Sequence, residues 1–593
     1  MITENGPKVI EYNCRFGDPE TQVVLPLLDT DLVDIFNAVI NETLDQLDIK
    51  WKNQSAACII MASGGYPKKY ETGIEITGLD EKGQLNNSLV FHAGTKLENQ
   101  KFYTSGGRVL GVTAISDKLN VALDIAYNSV SKIHFDKMHY RKDIGQKALK
   151  SNKIQEELIS KEVAKEVYNN LDYEDFKENY KVNVPENFNF GYDIVDEWAK
   201  QEPEKLALVW CNDHNEEYKF TFTDISKLSN KAANYFKSIG ISKGSVVMLI
   251  LRRRWEYWIC AVALHKIGAI VIPGSLQLTA KDIVYRGNAA EITAIVSIND
   301  DFVINQIESA DCDIPSLKHK IVVGEKYSTW DYFEDEIQKF SDIFERPVNE
   351  EANKWDDTML IYFTSGTTGM PKMVKHNFAH PLGHIVTAKY WQQVQENKLH
   401  MSVSDSGWAK FGWGKIYGQW ICGAVIFCYD MDKFIPLKLL EKITEYKVTT
   451  FCAPPTMFRF MLQEDVSKFD LSNIKTCCIA GEPLNPQVFN DWYKLTGLKL
   501  REGFGQTEGT VLIANFKWME PSAGSTGKPS PLYDIRLINN DGNDCKPGEE
   551  GTIVIYGVNK KLPIGLFTGY YHNPELTDKA LGGEYYDTGD MAV

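Results

Sequence analysis

The chain has 593 residues, of which 43% are hydrophobic and 24% charged. That balance supplies several packed cores and excludes a wholly disordered or collagen-like polymer; at about 150 residues per domain the length suits about four domains. The net charge of −16 leaves no basic excess to displace counterions from a phosphate backbone, so no nucleic-acid partner is expected.

The opening Met1–Lys8 has no apolar run of the kind a secretory signal carries. Residues 50–115 read as short strands: Ala57–Met61, Gly73–Ile76, Leu89–Phe91 and Arg108–Val112. The pairs Gly64-Gly65, Asn86-Asn87 and Gly106-Gly107 punctuate them. A helix is expected over Lys118–His134, with Leu119, Ala122, Leu123, Ala126 and Val130 on one side. From Ser151 to Tyr180 the texture turns strongly charged, with Ile154, Leu158, Ile159, Val163 and Val167 at helical spacing. That pattern predicts a solvated amphipathic linker helix.

Beyond it, apolar strand-like runs alternate with helical stretches: Val246–Leu251, a helix near Trp255–Gly268, Ile270–Ile272 and Ala294–Ser297. Continuous apolar strands between helices are what a parallel sheet covered on both faces requires. Residues 180–530 are therefore expected to be α/β, and Tyr533–Tyr556 to form a β-rich tail. The longest apolar stretch, Ile416–Tyr429, is broken by Gly418, Gln419 and Gly423 and falls short of the about 20 residues a membrane span needs. The eleven cysteines include no Cys-x-x-Cys pair, which predicts a reducing, cytoplasmic setting.

Three features have two readings each. His376, His380 and His384 recur every four residues, a spacing that suits a metal site, but Pro381 interrupts the stretch and no fourth ligand is evident. Arg252-Arg-Arg254 suits either a phosphate contact or a solvated strand end. Trp408 either lines a substrate pocket or is a core residue.

The strongest chemical signal follows the apolar strand Met359–Phe363. Thr364, Ser365, Gly366, Thr367, Thr368 and Gly369, then Met370, Pro371 and Lys372, combine four hydroxyls and two glycines with a cation. Glycine lets backbone N–H groups approach an anion without a Cβ clash. The spacing is not that of the Walker-type P-loop.

This segment resembles the nucleotide loop of the AMP-forming acyl-CoA synthetases, in the adenylate-forming superfamily. Three more motifs follow in that family's order. Ala480-Gly481-Glu482-Pro483-Leu484 resembles its adenine-contacting turn. Glu502-Gly503-Phe504-Gly505-Gln506-Thr507-Glu508 resembles the motif whose aromatic stacks on adenine, whose Thr meets the α-phosphate and whose Glu binds Mg2+. Tyr586-Asp-Thr-Gly-Asp590 resembles the segment whose Asp holds the ribose. Asn183–Phe188 and Ser404–Lys410 have medium-chain-type texture.

The resemblance implies a large α/β domain with mostly parallel sheets flanked by helices, and a β-rich subdomain. It implies ATP, Mg2+ and coenzyme A as co-substrate, with a small carboxylic acid as the nucleophile. By it, Thr364–Lys372 hold the β and γ phosphates, and Lys372, Thr507 and Glu508 carry the adenylation. Gly505 stands where the acetyl-specific branch has a pocket-closing Trp, which implies a medium-chain or bulky acid. The family's hinge and C-terminal domain, with its adenylation lysine, would follow Val593. On that ground adenylation is expected to be weak and thioester formation nearly absent.

Residues Gly6–Gln22 resemble the late motif of phosphoribosylamine–glycine ligase, an ATP-grasp enzyme of purine synthesis. Ala62–Pro67, Phe91–Thr95, Thr104–Thr113 and Tyr140–Gly145 fit its C-terminal domain. This second resemblance implies a small β-rich α+β domain and makes Glu11 and Asn13 magnesium ligands, two residues apart on one strand face. The domains read as a residual ATP-grasp segment at 1–50, the ligase C-domain-like part at 51–150, the linker at 151–180 and the AMP-binding part at 181–593. Together the two resemblances imply a chimera. The alternatives to acid activation are the ligase of purine biosynthesis and a non-catalytic nucleotide-binding fusion.

Overall fold

The computed structural model describes residues 2–3, 6–7, 17–52, 54–116, 119–145, 172–364 and 370–593. The chain divides into two compact units, Met1–Glu156 and Glu157–Val593.

In the first unit, strand Ser55–Ala62 pairs antiparallel with Arg108–Ser116, and Leu89–His92 and His139–Tyr140 complete a four-stranded sheet. Helix Leu119–Val130 buries Ala122, Leu123, Ala126 and Val130, the stripe expected from the 3.6-residue period. They meet Ile59, Met61, Val109, Leu110 and Val112 of the sheet in one core. Each large aliphatic side chain buried there contributes about 1.5–3 kcal/mol. A second, three-stranded sheet holds Glu75–Ile76, Lys101–Thr104 and Thr95–Glu98; the last two form a hairpin that the sequence pattern does not announce. Glu11 and Asn13 lie outside the described residues.

The second unit is α/β. A seven-stranded sheet runs parallel throughout except at its edge, where Thr358–Thr364 turns back into antiparallel Lys372–Asn377. Strand Val246–Ile250 is buried at every position, as its uninterrupted apolar run demands of a strand covered on both faces. A nine-stranded sheet has a parallel centre, including Leu399–Ser402, Thr450–Ala453, Thr476–Ala480 and Leu500–Phe504, with antiparallel strands at both edges. Asp534–Ile538, Gly551–Tyr556 and Tyr585–Ala592 form a separate antiparallel sheet, the β-rich tail.

Two expectations are corrected here. The charged stretch was expected to be solvated to Tyr180. Its residues 151–171 lie outside the described residues, but helix Tyr173–Asn179 buries Tyr173 and Phe176. The Phe176 ring packs on Tyr390 and Trp518 at centroid distances of 4.4 and 4.7 Å. Two aromatics in a polar run are enough to pin a two-turn helix to a core. Nor is Arg252–Arg254 a solvated strand end. Arg252 meets Asp430 at 3.0 Å, Arg253 meets Asp405 at 3.4 Å and Arg254 meets Glu256 at 2.5 Å. Arg252 and Arg253 tie the end of strand Val246–Ile250 to Asp430 and Asp405, and Arg254 is held by Glu256 at the start of the following helix.

Candidate active site

In open parallel sheets, backbone amides and loop side chains converge beyond the carboxyl ends of the strands. Three of the four nucleotide motifs leave a strand at that end, and the fourth, Tyr586–Asp590, lies within the antiparallel strand Tyr585–Ala592. Thr364 ends its strand opposite Lys372 in the last pair of the ladder, so the intervening loop closes this hairpin. Ser365, Gly366, Thr367, Thr368 and Gly369 lie outside the described residues. The loop's far end is held by the Tyr285 hydroxyl, which donates to the Pro371 carbonyl at 2.9 Å.

Strand Thr476–Ala480 delivers Gly481, Glu482 and Pro483. Asn485 then caps helix Pro486–Thr496, with Pro486 in its first turn, so the turn is short and fixed at both ends. At Gly481, φ is +100° and a Cβ would fall 1.4 Å from Lys410 Nζ. Any side chain there would evict the lysine. Glu482 accepts from the Thr456 hydroxyl. The carboxyl of Glu502 is raised by burial and bonds to the Leu484 backbone, tying the two segments together.

Strand Leu500–Phe504 delivers Gly503, Phe504 and then the turn Gly505–Glu508, closed by the pair Phe504 and Ile513. Gln506 donates through its side-chain amide to Asp590 and to the Thr588 carbonyl, the latter at 2.7 Å. The Glu508 carbonyl accepts from Phe567 N–H at 2.6 Å, and its carboxylate accepts from the Tyr570 hydroxyl at 3.4 Å. Lys372 Nζ lies 5.4 Å from the centre of the Tyr570 ring. Segment 568–571 is strapped to the strand that leaves the phosphate loop by Thr568 N–H to Lys375 O and Tyr571 N–H to Met373 O.

Lys372, Gln506, Thr507, Glu508 and Asp590, drawn from three segments, thus share one neighbourhood. The Glu508 carboxyl is raised by burial and by Asp590, against the lowering pull of Lys372 and Tyr570. A carboxylate short of compensating charge suits a hard cation that takes its other ligands from phosphate and water, so the residues fit Mg2+.

Trp408 and Gly505 sit differently from the sequence reading. Trp408 is 63% exposed and is neither a core residue nor part of the cavity behind the motif. The cavity, of about 20 Å³, is lined by Trp391, Trp413, Lys410, Ser402, Cys452 and Ala480, among others. The space beside Gly505 is already filled: a Cβ there would lie 2.1 Å from the Trp413 ring and 2.7 Å from the Thr510 carbonyl. Interiors are packed to crystal-like density, so the room left by a missing indole is taken by another indole. Trp391, Trp413 and Lys410 escaped the sequence reading because they form a pocket only in three dimensions.

The three histidines are not a metal site. Their rings form a column, with His376 and His380 4.0 Å apart between centroids and His380 and His384 4.7 Å apart. His380 Nε2 and His384 Nε2 are hydrogen-bonded at 3.1 Å. Among the described residues no group of three or more His, Cys, Asp or Glu could hold a metal ion.

Burial holds His265, His384 and His400 to about 3 and His376 to about 4, and His380 well below its usual value. Above pH 6.5 both folded and unfolded chains carry them neutral. As pH falls the unfolded chain takes up protons that the folded one refuses, so stability is lost. Glu256, lifted to about 7 by burial, opposes this, because the folded chain keeps its proton. Over these six groups the balance predicts net uptake of about three to four protons on unfolding near pH 5.5, or about 5 kcal/mol lost per pH unit. Denaturant titrations of the larger unit at pH 7, 6 and 5 measure it; a flat profile would mean the imidazoles reach water.

Known proteins give the family and the fold. The family model described as AMP-binding enzyme matches residues 195–571. The chain belongs to the AMP-binding enzyme family. A second model, the phosphoribosylglycinamide synthetase C domain, matches residues 56–147, so both resemblances read from the sequence are present in one chain. Human acyl-coenzyme A synthetase ACSM3, mitochondrial, is 35% identical over 426 residues, covering 70% of this chain and 72% of that protein. Human ACSM4, mitochondrial, is 37% identical over 418 residues, covering 69% and 71%. Among solved structures, the anthranilate CoA ligase AuaEII in complex with anthranoyl-AMP aligns with a TM-score of 0.62 at 24% identity, covering 69% of this chain and 76% of that one. A Brucella canis acyl-CoA synthetase aligns with a TM-score of 0.62 at 23% identity, covering 71% and 77%. These two support the fold.

Proposed function

We propose that this AMP-binding enzyme activates a medium-chain or bulky carboxylic acid. The carboxylate attacks the α-phosphorus of ATP, pyrophosphate leaves and acyl-AMP forms. The thiol of coenzyme A then displaces AMP, giving the thioester and a proton. The observation that carries this reading is the convergence of Lys372, Thr507, Glu508 and Asp590 from three separate segments. Phosphoryl chemistry of this kind needs preorganised donors and a cation where negative charge builds, and no nucleophilic side chain. Thr364–Lys372 would hold the β and γ phosphates, Thr507 the α-phosphate, and Asp590 the ribose. The turn Gly481–Pro483 and Phe504 would hold adenine, and Glu508 would ligate Mg2+, which supplies charge neutralisation on the phosphates. The relatives named as acyl-coenzyme A synthetases support the same chemistry.

Hydroxylamine traps acyl-AMP as the hydroxamate, so adenylation is tested without the thioester step. Full-length protein with ATP, Mg2+ and acids from acetate to decanoate, plus benzoate, should release pyrophosphate and form hydroxamate. Absence of both with every acid would remove the reading.

In this reading the acid's apolar end would point toward the small cavity bounded by Trp391 and Trp413, whose indoles would limit its length. Trp413→Ala should therefore move the preference toward longer acids. At about 0.8 kcal/mol per buried methylene, two extra methylenes favour octanoate over hexanoate by about tenfold in kcat/KM relative to the parent. An unchanged chain-length profile would put the acid elsewhere.

The same reading assigns residues 181–593 to the AMP-binding part, 51–150 to the ligase C-domain-like part, and 1–50 and 151–180 to a residual segment and a linker. The purine-ligase activity is less supported: the family model for that synthetase matches only its C domain, at residues 56–147, against 195–571 for the AMP-binding enzyme model. No helix among the described residues is long and apolar enough to cross a membrane. Ten cysteines of the described residues are free thiols, which supports a reducing compartment such as the cytoplasm.

A further inference from the structure

We propose that His376 is a positioning residue for adenylation: its imidazole fixes the Thr507 carbonyl to the strand that carries Lys372. His376 is completely buried, and its Nε2 lies 2.8 Å from the Thr507 oxygen. A carbonyl oxygen only accepts, so Nε2 carries the hydrogen and the ring is held in one tautomer. Nδ1 has no partner among the described residues, so this one bond is the ring's polar commitment.

The ring cannot turn away. His380 packs on its face at 4.0 Å, and His384 braces His380 through the 3.1 Å Nε2 contact. His384 in turn stacks on Tyr417, whose hydroxyl meets His265 Nε2 at 3.1 Å. Behind one hydrogen bond stands a continuous column of buried rings.

Thr507 needs such a tether. It lies past the end of strand Leu500–Phe504, in the turn closed by Gly509 N–H to Gln506 O, so no sheet ladder holds it. Its neighbours are held from elsewhere, Gln506 by Asp590 and Thr588 and Glu508 by Phe567. The His376 bond ties Thr507 itself to strand Lys372–Asn377, whose first residue is the phosphate-loop lysine. His376 therefore sets the separation between the cation and the Thr507 hydroxyl. The kinetic part of the claim rests on the adenylation reading above; the geometric part does not.

The test compares His376→Phe, which keeps the ring stack and removes the donor, with His376→Gln, which keeps an N–H near Nε2. Both are made in the full chain. Hydrogen exchange over residues 503–511 without nucleotide is read by mass spectrometry, beside hydroxamate kinetics and the unfolding midpoint. H376F should speed exchange in that peptide and lower kcat/KM for ATP about tenfold, with KM for the acid within about twofold, and H376Q should recover part of both.

Unchanged exchange and ATP kinetics in H376F would overturn the proposal. So would equal damage in H376F and H376Q with a lowered midpoint, which is the behaviour of a core residue alone. Should H376F fail to fold, H376M, without a donor, gives the same reading. If the parent forms no hydroxamate, the adenylation reading falls while the exchange measurement still decides the tether.

Discussion

Glu508→Gln should lower Mg2+-dependent hydroxamate formation by about a hundredfold or more while leaving the protein as stable as its parent, or more so. The two halves of this result share one cause. The Glu508 carboxyl is buried, and Asp590 lies close enough to raise it further; Lys372 and Tyr570 only partly offset this. An anion in that setting costs folding free energy, and the neutral amide removes the cost while keeping the shape. Catalysis loses the same anion. Without it the cation is held by phosphate and water alone, and charge developing on the α-phosphate meets a less ordered field. Chelating Mg2+ should lower the parent's rate by a far larger factor than the variant's. Melting curves and hydroxamate rates measured with and without chelator decide the matter. A variant that keeps the parent's response to Mg2+ would show that Glu508 is not the ligand.

The parts of this site that were legible in the sequence are those built from consecutive residues. Val246–Ile250 reads as a doubly covered strand because five apolar residues in a row have no other economical place. Thr364–Lys372 reads as an anion loop because small and hydroxylated residues follow an apolar strand, and of that reading the described residues show only its two ends, Thr364 and Lys372, paired side by side. What was not legible depends on residues far apart in the chain. Trp391 and Trp413 meet with rings 6.3 Å apart, and Lys410 reaches the Ala480 carbonyl across 70 positions. No periodicity encodes such contacts. His376 lay between these cases. On a strand, Lys372, Val374 and His376 face the same way, so the face that carries the loop lysine was available from spacing alone. Its target, the Thr507 carbonyl 131 positions away, was not. Trp408 misled because tryptophan is usually buried, whereas here it precedes a short helix and faces solvent.

Gly505→Trp should fail as a single change and recover when paired with Trp413→Ala. A Cβ on residue 505 would approach the Trp413 ring to 2.1 Å and the Thr510 carbonyl to 2.7 Å. The first neighbour is a side chain, the second backbone. Overpacking a filled core costs about 1–3 kcal/mol for added methylenes, and an indole is far larger, so the single variant should be recovered mostly as insoluble protein. Trp413→Ala removes the nearest obstacle and leaves a void that a residue-505 indole can enter. Residues that share a cavity are coupled rather than additive, so the double variant should be more stable than the Gly505→Trp single by about 2 kcal/mol or more. Its acid range should also differ from that of Trp413→Ala alone, because the indole now enters from the strand-end turn and shortens the space available to the acid. Soluble yield, unfolding midpoint and the acid series, read for the parent, both singles and the double, complete the cycle. If the double is no better than the Gly505→Trp single, the Thr510 carbonyl and not Trp413 sets the limit at this glycine, and the pocket would have to be redrawn around the backbone.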